Sequence, residues 1–587
     1  MKTRRQSRGY SMETFQSLLA EKLAEALAAA DLPPAGSVSP ATDARFGDYQ
    51  SNTALVLAKQ RGENPRAIAQ KILDAYDRWD LCDPPSIAGA GFINFTLRTE
   101  IVAARTVDLL QDERLGVEKT ATPKRIVIDF GSPNVAKPMH VGHIRSTVLG
   151  DALARIASFL GHEVIRDNHI GDWGTQFGMV IYGWKNLLDR AALERDPIAE
   201  LVRIYKETNG KATSDPKVRE AVREELVKLQ AGDAENFAIW KETVDLSMKE
   251  FERAYHMLDI HYDIQRGESF YNDRLPAVVD RLLQSGIAEI SEGAVCVFFR
   301  DIPQLAEKPA IIRKSDGGFN YATTDVATVD YRIKDLKANT VWYVVGGPQI
   351  LHFKQIFEIA RREGYTADLR HIPFGSILGE DRKLMKTRSG ENVPLRDLLD
   401  EAIERARKII EEKNPELTES EKIDIAQKVG VGAVKYYDLS QYRMTDYIFS
   451  WDRMLSFQGN TAPYLQNAYV RIRSIFRKAA VAAPLWGAPG DADVAKIALN
   501  APEEKTLALK LCQFAEVVPT VLNDFRPNIL ANYLFELANS FHSFYEACPV
   551  LRSEEPSRSA RLALCELTGR ILARGLDLLG IKVPEKM

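Results

Sequence analysis

Apolar positions recur at helical spacing over residues 15–30 and 65–76, and "AGAGFINFTL" (88–97) alternates in the manner of a strand behind a glycine turn. These elements predict a small α/β domain over 1–118, opened by a basic tail at 1–11. Beyond it, strand-like and helix-like runs alternate. "RIVIDF" (125–130) reads as a buried strand, a helix follows from about 139 to 160, and "HEVIR" (162–166) precedes a helix after "GDWG" (171–174). Such alternation predicts a parallel, doubly wound, Rossmann-like sheet within 119–395. A long polar helical stretch at about 190–255 reads as an insertion between two halves of that sheet. Strands then resume with "AVCVFF" (294–299), "VWYVVG" (341–346) and "IPFGSI" (372–377). From 395 onward the pattern is almost wholly helical, giving a connecting region (396–458) and an all-α bundle (459–587). Within the bundle, "TLALKLCQFAEVVPTVLNDF" (506–525) carries a core stripe that is kinked or ended near Pro519. The expected fold class is multidomain α/β with a C-terminal helical bundle.

The 587 residues suffice for several cores. With 77 basic and 81 acidic side chains the net charge is −4, so contact with nucleic acid must come from local patches. The five cysteines (82, 296, 512, 548, 565) show no CxxC pairing and suit a reducing compartment better than a disulfide framework. No apolar run approaches the length of a membrane span. The start "MKTRRQSRGYS" lacks the apolar segment of a secretory signal. A solvated tail is the favoured reading; a transit peptide, which its Arg and Ser content fits, stays as a minor alternative, with Glu13 and Glu21 counting against a long acid-free presequence. A cytoplasmic protein with no membrane partner is expected.

Chemistry concentrates in "SPNVAKPMHVGHIRS" (132–146). His140 and His143 would share one face of a helix starting near Met139, and the strand, loop and helix start before them make an anion site of unpaired N–H groups. An HxxH pair is also compatible with zinc ligation, although no further ligands are evident, or with satisfied core histidines; the tetrapeptide alone does not decide. A second segment, "GEDRKLMKTRSG" (379–390), places Arg382, Lys383, Lys386 and Arg388 after a late strand. There they could close over a polyphosphate or lie as a solvated surface loop.

Together the two segments resemble the paired signatures of class I aminoacyl-tRNA synthetases, a His-x-Gly-His motif and a Lys-Met-Ser-Lys-Ser loop. "HVGH" fits the first closely; "KLMKT" keeps both lysines of the second but has Leu384, Met385 and Thr387 between and after them. Within that class the chain is similar to bacterial arginyl-tRNA synthetases over nearly its full length. The stretches that carry this are "FGDYQ", "GFINF", "SPNVAKPMHVGHIRST", "NHIGDWGTQFG", "GGFNYATTDVA", "KTRSG", "DYIFSWDRMLSFQGNTAPYLQNAYVRIRS" and "GLDLLGIKVPEKM", in order.

The resemblance implies arginine activation by ATP, accompanied by Mg2+, to an adenylate and pyrophosphate, then transfer to the terminal ribose of tRNA(Arg). It implies no tightly bound metal or organic cofactor, and a monomer. His140, His143, Lys137, Lys383 and Lys386 would serve catalysis, and Gly142, Gly171 and Asp172 would join His140, His143 and Lys386 around ATP. For arginine it implies Tyr321 and Asp325, at i and i+4, with Glu268 as a second carboxylate, and Asn134 and Gln349 at the α-amino and carboxylate ends. Carboxylates facing a guanidinium would reject neutral citrulline, and lysine lacks the planar fork. In "YLQNAYVRIRSIFRKAA" (464–480), Tyr464, Arg471 and Arg473 would meet the anticodon, while helix packing explains the apolar positions equally well. The N-terminal domain would meet the tRNA elbow, and activation would wait for tRNA. A non-tRNA nucleotidyltransferase of the same superfamily and an inactive RNA-binding paralogue are the rival readings. The length and helical C-terminus count against the first, and the intact set of site residues against the second.

Overall fold

The computed structural model describes residues 12–386, 393–479 and 497–587; the basic tail, Thr387 and Arg388, and Ala480 at the end of the proposed anticodon helix lie outside them. These residues form two compact units. One takes 120–456 with 578–581; the other joins 12–119 to 457–577 and 582–587.

The first unit is built on five parallel strands, in chain order Arg125–Asp129, Glu163–Ile170, Ile264–Gly267, Thr340–Tyr343 and Asp368–His371. Their spatial order is fifth, fourth, first, second, third. The first and fourth strands, side by side in the sheet, read as nearly unbroken apolar runs; Val127, Ile128 and Val341 are fully buried. The winding reverses between the first and fourth strands, where a doubly wound sheet opens a crevice at its carboxyl ends. Helix Gly142–Phe159 leaves that point and packs so closely that a Cβ on Gly150 would stand 2.2 Å from Phe130 Cγ. Gly150→Ala is therefore expected to cost about 1–3 kcal/mol of stability, measured by denaturant titration, because the core cannot yield a methyl's width without moving Phe130.

The structure corrects three sequence expectations. The polar helical stretch is four helices, Arg190–Arg195, Pro197–Ser214, Pro216–Gln230 and Ala234–Met257, divided where Asp196 and Asp215 cap helices that begin with proline. It occupies the crossover from the second to the third strand, inside the first half of the sheet. "AVCVFF" does not join the parallel sheet. Strand Ala294–Val297 follows Glu289–Ser291 across Glu292 and Gly293, both with positive φ, and this two-residue turn forces antiparallel pairing in a separate three-stranded sheet with Ala310–Arg313. "IPFGSI" is not the fifth strand. That strand ends at His371 because Pro373 has no N–H to continue the ladder, and Ile377–Leu378 pairs instead with Tyr447–Ile448.

The second unit combines a four-stranded antiparallel sheet, Val38–Pro40, Tyr49–Ser51, Phe92–Phe95 and Ser86–Ala88, with N-terminal and C-terminal helices. Glu516, on Phe514–Thr520, accepts from Gln16 N–H at 3.0 Å and Tyr49 O–H at 2.8 Å. Arg570 donates to the carbonyls of Leu110 and Asp112. The two ends of the chain thus share one core. Pro519 falls in the last turn of Phe514–Thr520, where the missing donor and a 3-10 turn end the helix. No described helix is long and apolar enough to cross a membrane.

Candidate active site

At the end of the first strand, Gly131, Ser132 and Ala136 take φ of +92°, +48° and +61°. Left-handed backbone at a non-glycine residue costs on the order of 1 kcal/mol or more and persists only where its surroundings fix it. Here Gly131 N–H donates to Ser146 Oγ, Ser132 N–H to Asn168 Oδ1, Ala136 N–H to Ser247 Oγ and Val135 N–H to the Gly171 carbonyl, at 2.9 to 3.1 Å. Gly171 N–H returns a bond to Pro133 O, and a Cβ on Gly171 would lie 2.2 Å from Asn134 Oδ1. Asn134 and Gly171 therefore form one surface, which only glycine permits.

The helix begins at Gly142, later than the pattern predicts, because Met139 and Val141 bond in extended fashion to Leu395 and Val393. His140 stands before the first turn and His143 in it, and their rings still come together with centroids 4.1 Å apart. His140 N–H donates to His143 Nδ1 (3.0 Å), and Gly142 N–H to His140 Nδ1 (3.1 Å). Since both Nδ1 atoms accept, each neutral ring carries its proton on Nε2. Burial lowers the His140 pKa; burial and His140 together push His143 down to about 4. The pair is thus two neutral Nε2–H donors at neutral pH.

A second cluster is acidic. Asp325 lies on Tyr321–Lys334, and its Oδ2 is 2.6 Å from His352 Nε2; the exposed Tyr321 ring packs on the same imidazole, with centroids 4.9 Å apart. His352 was not singled out from sequence, and the spacing of "QILH", three residues past Gln349 at a helix start, is its signal. Glu268 is pushed up to about 8 by burial and by the neighbouring charges of Asp325 and Asp172. Asp172 is itself raised by burial although Ser269 donates to it through N–H and O–H at 2.8 and 2.6 Å. Arg332, fully buried on the Asp325 helix, donates to Asp129 and Asp167 at 2.8 Å and so ties that helix to the end of the first strand and the middle of the second. Gln349 is exposed where the fourth strand's loop enters helix Ile350–Arg362.

Lys137, Lys383 and Lys386 are all exposed. Lys137 Nζ stands 5.7 Å from the Tyr205 ring centroid, on the helical insertion. The cation loop folds back on the strand before it, with Gly379 N–H donating to Lys383 O and Met385 N–H to Ile377 O. In the other unit, Tyr464 O–H is engaged by Asn539 and His542, and Arg473 by Glu585 at 3.0 Å. Arg471 is exposed beside Tyr545.

Residues 105–451 match the family described as tRNA synthetases class I (R), catalytic domain; residues 465–587 match the DALR anticodon binding domain, and 13–97 the arginyl tRNA synthetase N terminal domain. An arginine–tRNA ligase of Synechococcus elongatus is 46% identical over 590 residues, covering 98% of each chain. The chain belongs to the arginyl-tRNA synthetase family. Solved arginyl-tRNA synthetases of Plasmodium falciparum (TM-score 0.83, 29% identity, 99% of this chain and 100% of that one) and Thermus thermophilus (0.82, 28%, 98% and 100%) share its fold. In this family member the two histidines stand at the start of the helix that follows the first strand, which borders the sheet's switch point.

Proposed function

We propose that the chain is an arginine–tRNA ligase that activates L-arginine with ATP and passes it to the 3′-terminal ribose of tRNA(Arg). The presence of two neutral Nε2–H imidazoles and of a carboxylate cluster past the carboxyl ends of strands of one parallel sheet carries this proposal: the first set suits a polyphosphate, the second a guanidinium. The arginine carboxylate attacks the α-phosphorus of ATP, an oxygen–phosphorus bond forms, and pyrophosphate leaves. His140 and His143 donate to phosphate oxygens as negative charge gathers on the pentacoordinate phosphorus, and Lys137, Lys383 and Lys386 bring the compensating cations. Gly142, Gly171 and Asp172 border the nucleotide. Asp325 and Glu268 take the guanidinium beneath Tyr321, while Asn134 and Gln349 hold the amino-acid end. Among the described residues no group of three His, Cys, Asp or Glu could hold a metal ion. Mg2+ would accompany the ATP phosphates. Tyr464, Arg471 and Arg473 face the anticodon.

Arginine-dependent and tRNA-dependent release of pyrophosphate from ATP by the purified protein tests the proposal; release indifferent to arginine would refute it. Pyrophosphate exchange by the full-length chain is expected only with tRNA present, and equal exchange without tRNA would remove that coupling.

Two further results are expected. Glu268, with its pKa raised to about 8, is protonated at neutral pH in the empty site, so a binding guanidinium must displace that proton. Arginine binding should release up to one proton near pH 7 and tighten as pH rises toward 8; calorimetry in buffers of different ionisation enthalpy reads this directly. By the same linkage the folded, empty protein binds the extra proton between the ordinary carboxylate value of 4.5 and about 8, so this group's contribution to stability falls as pH rises through that window. His352→Leu removes the donor to Asp325 and should raise the arginine KM about tenfold with ATP KM unchanged, whereas Gln, which keeps an N–H, should recover most of the loss.

A further inference from the structure

Arg145 follows His143 by two positions on the signature helix, yet it points away from the chemistry and is 2% exposed. Its Nε stands 3.1 Å from Asp438 Oδ2, its Nη1 donates to the Thr445 carbonyl at 2.9 Å, and its guanidinium lies 5.1 Å from the Tyr447 ring centroid. Tyr447 O–H donates to the same Asp438 oxygen at 2.9 Å. Tyr447 also begins the short strand that pairs in parallel with Ile377–Leu378, the strand that runs directly into the cation loop. That pairing is reinforced at its edge, where Ser376 N–H donates to Asp446 Oδ1 at 2.6 Å and Gly375 N–H to Arg443 O at 2.9 Å. A burial this complete would leave any one of the charges very costly without its partners, so the three side chains hold one geometry.

We propose that Arg145, Asp438 and Tyr447 are positioning residues that fix the cation loop in register with the histidine signature. The path is short and continuous. His143 and Arg145 share one helical turn, Arg145 grips the backbone at Thr445 and the carboxylate shared with Tyr447, and the Tyr447 strand carries Ile377–Leu378, on which Gly379 to Lys386 folds. Among the described residues no hydrogen bond joins Lys383 or Lys386 to the imidazoles; beyond the loop Val393 and Leu395 bond to Val141 and Met139 beside His140, and before the loop the buried bracket sets where its strand stands. Misplacement of a catalytic group by about 1 Å is enough to cost on the order of a hundredfold in rate. The proposal rests on the ligase function above.

The test is a double-mutant cycle in ATP–pyrophosphate exchange, run with tRNA and arginine on the full chain. Tyr447→Phe removes one hydrogen bond and keeps the ring against Arg145; it should lower kcat about tenfold with arginine KM within about twofold of wild type. Asp446→Ala, on an exposed residue, leaves the triad whole and loosens only the Ser376 anchor, and should lower kcat in the same sense. In a Lys383→Ala/Lys386→Ala background each should add less than about a twofold further loss, because the groups being positioned are gone. Multiplicative losses in that background, wild-type kcat in both single variants, or a wild-type kcat for the double lysine variant itself would each overturn the proposal. So would losses that merely follow a lowered melting temperature. Absence of arginine-dependent exchange in the wild type would instead refute the ligase function, which separates the two failures.

Discussion

Asp325→Asn is expected to raise the KM for arginine by on the order of a hundredfold while the KM for ATP stays near wild type. Asn is isosteric and its Oδ1 can still accept from His352 Nε2, now 2.6 Å from Asp325, so the local packing survives and only the charge is lost. A guanidinium brought into a partly buried site then keeps Glu268 alone as its counter-charge. Breaking one partner of a buried pair costs about 3–5 kcal/mol; at 23% exposure of the Asp325 side chain the lower end applies, which is about a hundredfold in binding. Steady-state exchange kinetics over separate arginine and ATP titrations provide the measurement. An arginine KM within threefold of wild type would remove Asp325 from the specificity site.

His143→Asn should lower kcat by on the order of 10²–10³ with both substrate KM values little changed, the magnitude found when one preorganised donor is deleted from a developing-oxyanion site. The choice of Asn follows from the geometry. Its Oδ1 replaces Nδ1 and still accepts from His140 N–H, so the helix entry is preserved, but no N–H remains where Nε2 was. His143→Gln tests the converse, placing a donor near Nε2 while giving up the bond to His140. With a pKa near 4, His143 stays neutral throughout the usual assay range, so kcat should show no inflection between pH 6 and 8 that disappears in His143→Asn. Such an inflection would mean that a protonated imidazole, and not a neutral donor, does the work.

Much of this site was legible in linear order. Strand "RIVIDF", its proline-containing loop and the two histidines belong to one local segment, and a strand leading to a helix start makes an anion site whatever it packs against. Tyr321 and Asp325 were legible for a similar reason, since helical spacing alone puts them on one side of their element. The partnership of Asp325 with His352 was not, because the two stand on different helices, one before and one after the fourth strand, and helical spacing carries no information from one to the other. The tautomers of His140 and His143 also escaped prediction, as they depend on which backbone N–H each ring meets.

Strand type shows the same division. Apolar content marked "AVCVFF" and "IPFGSI" as strands, but periodicity carries no information about partners. A two-residue turn with positive φ sent the first into an antiparallel sheet, and Pro373 ended the ladder before the second. The sequence by itself therefore determined the elements and the signature loop, because these follow from spacing and capping within a few turns of chain. Tertiary structure alone decided which distant charges share a low-dielectric interior: Glu268 with Asp325 and Asp172, Arg332 with Asp129 and Asp167, Arg145 with Asp438. Burial and proximity set those energies, and both arise only when segments far apart in the chain are packed together.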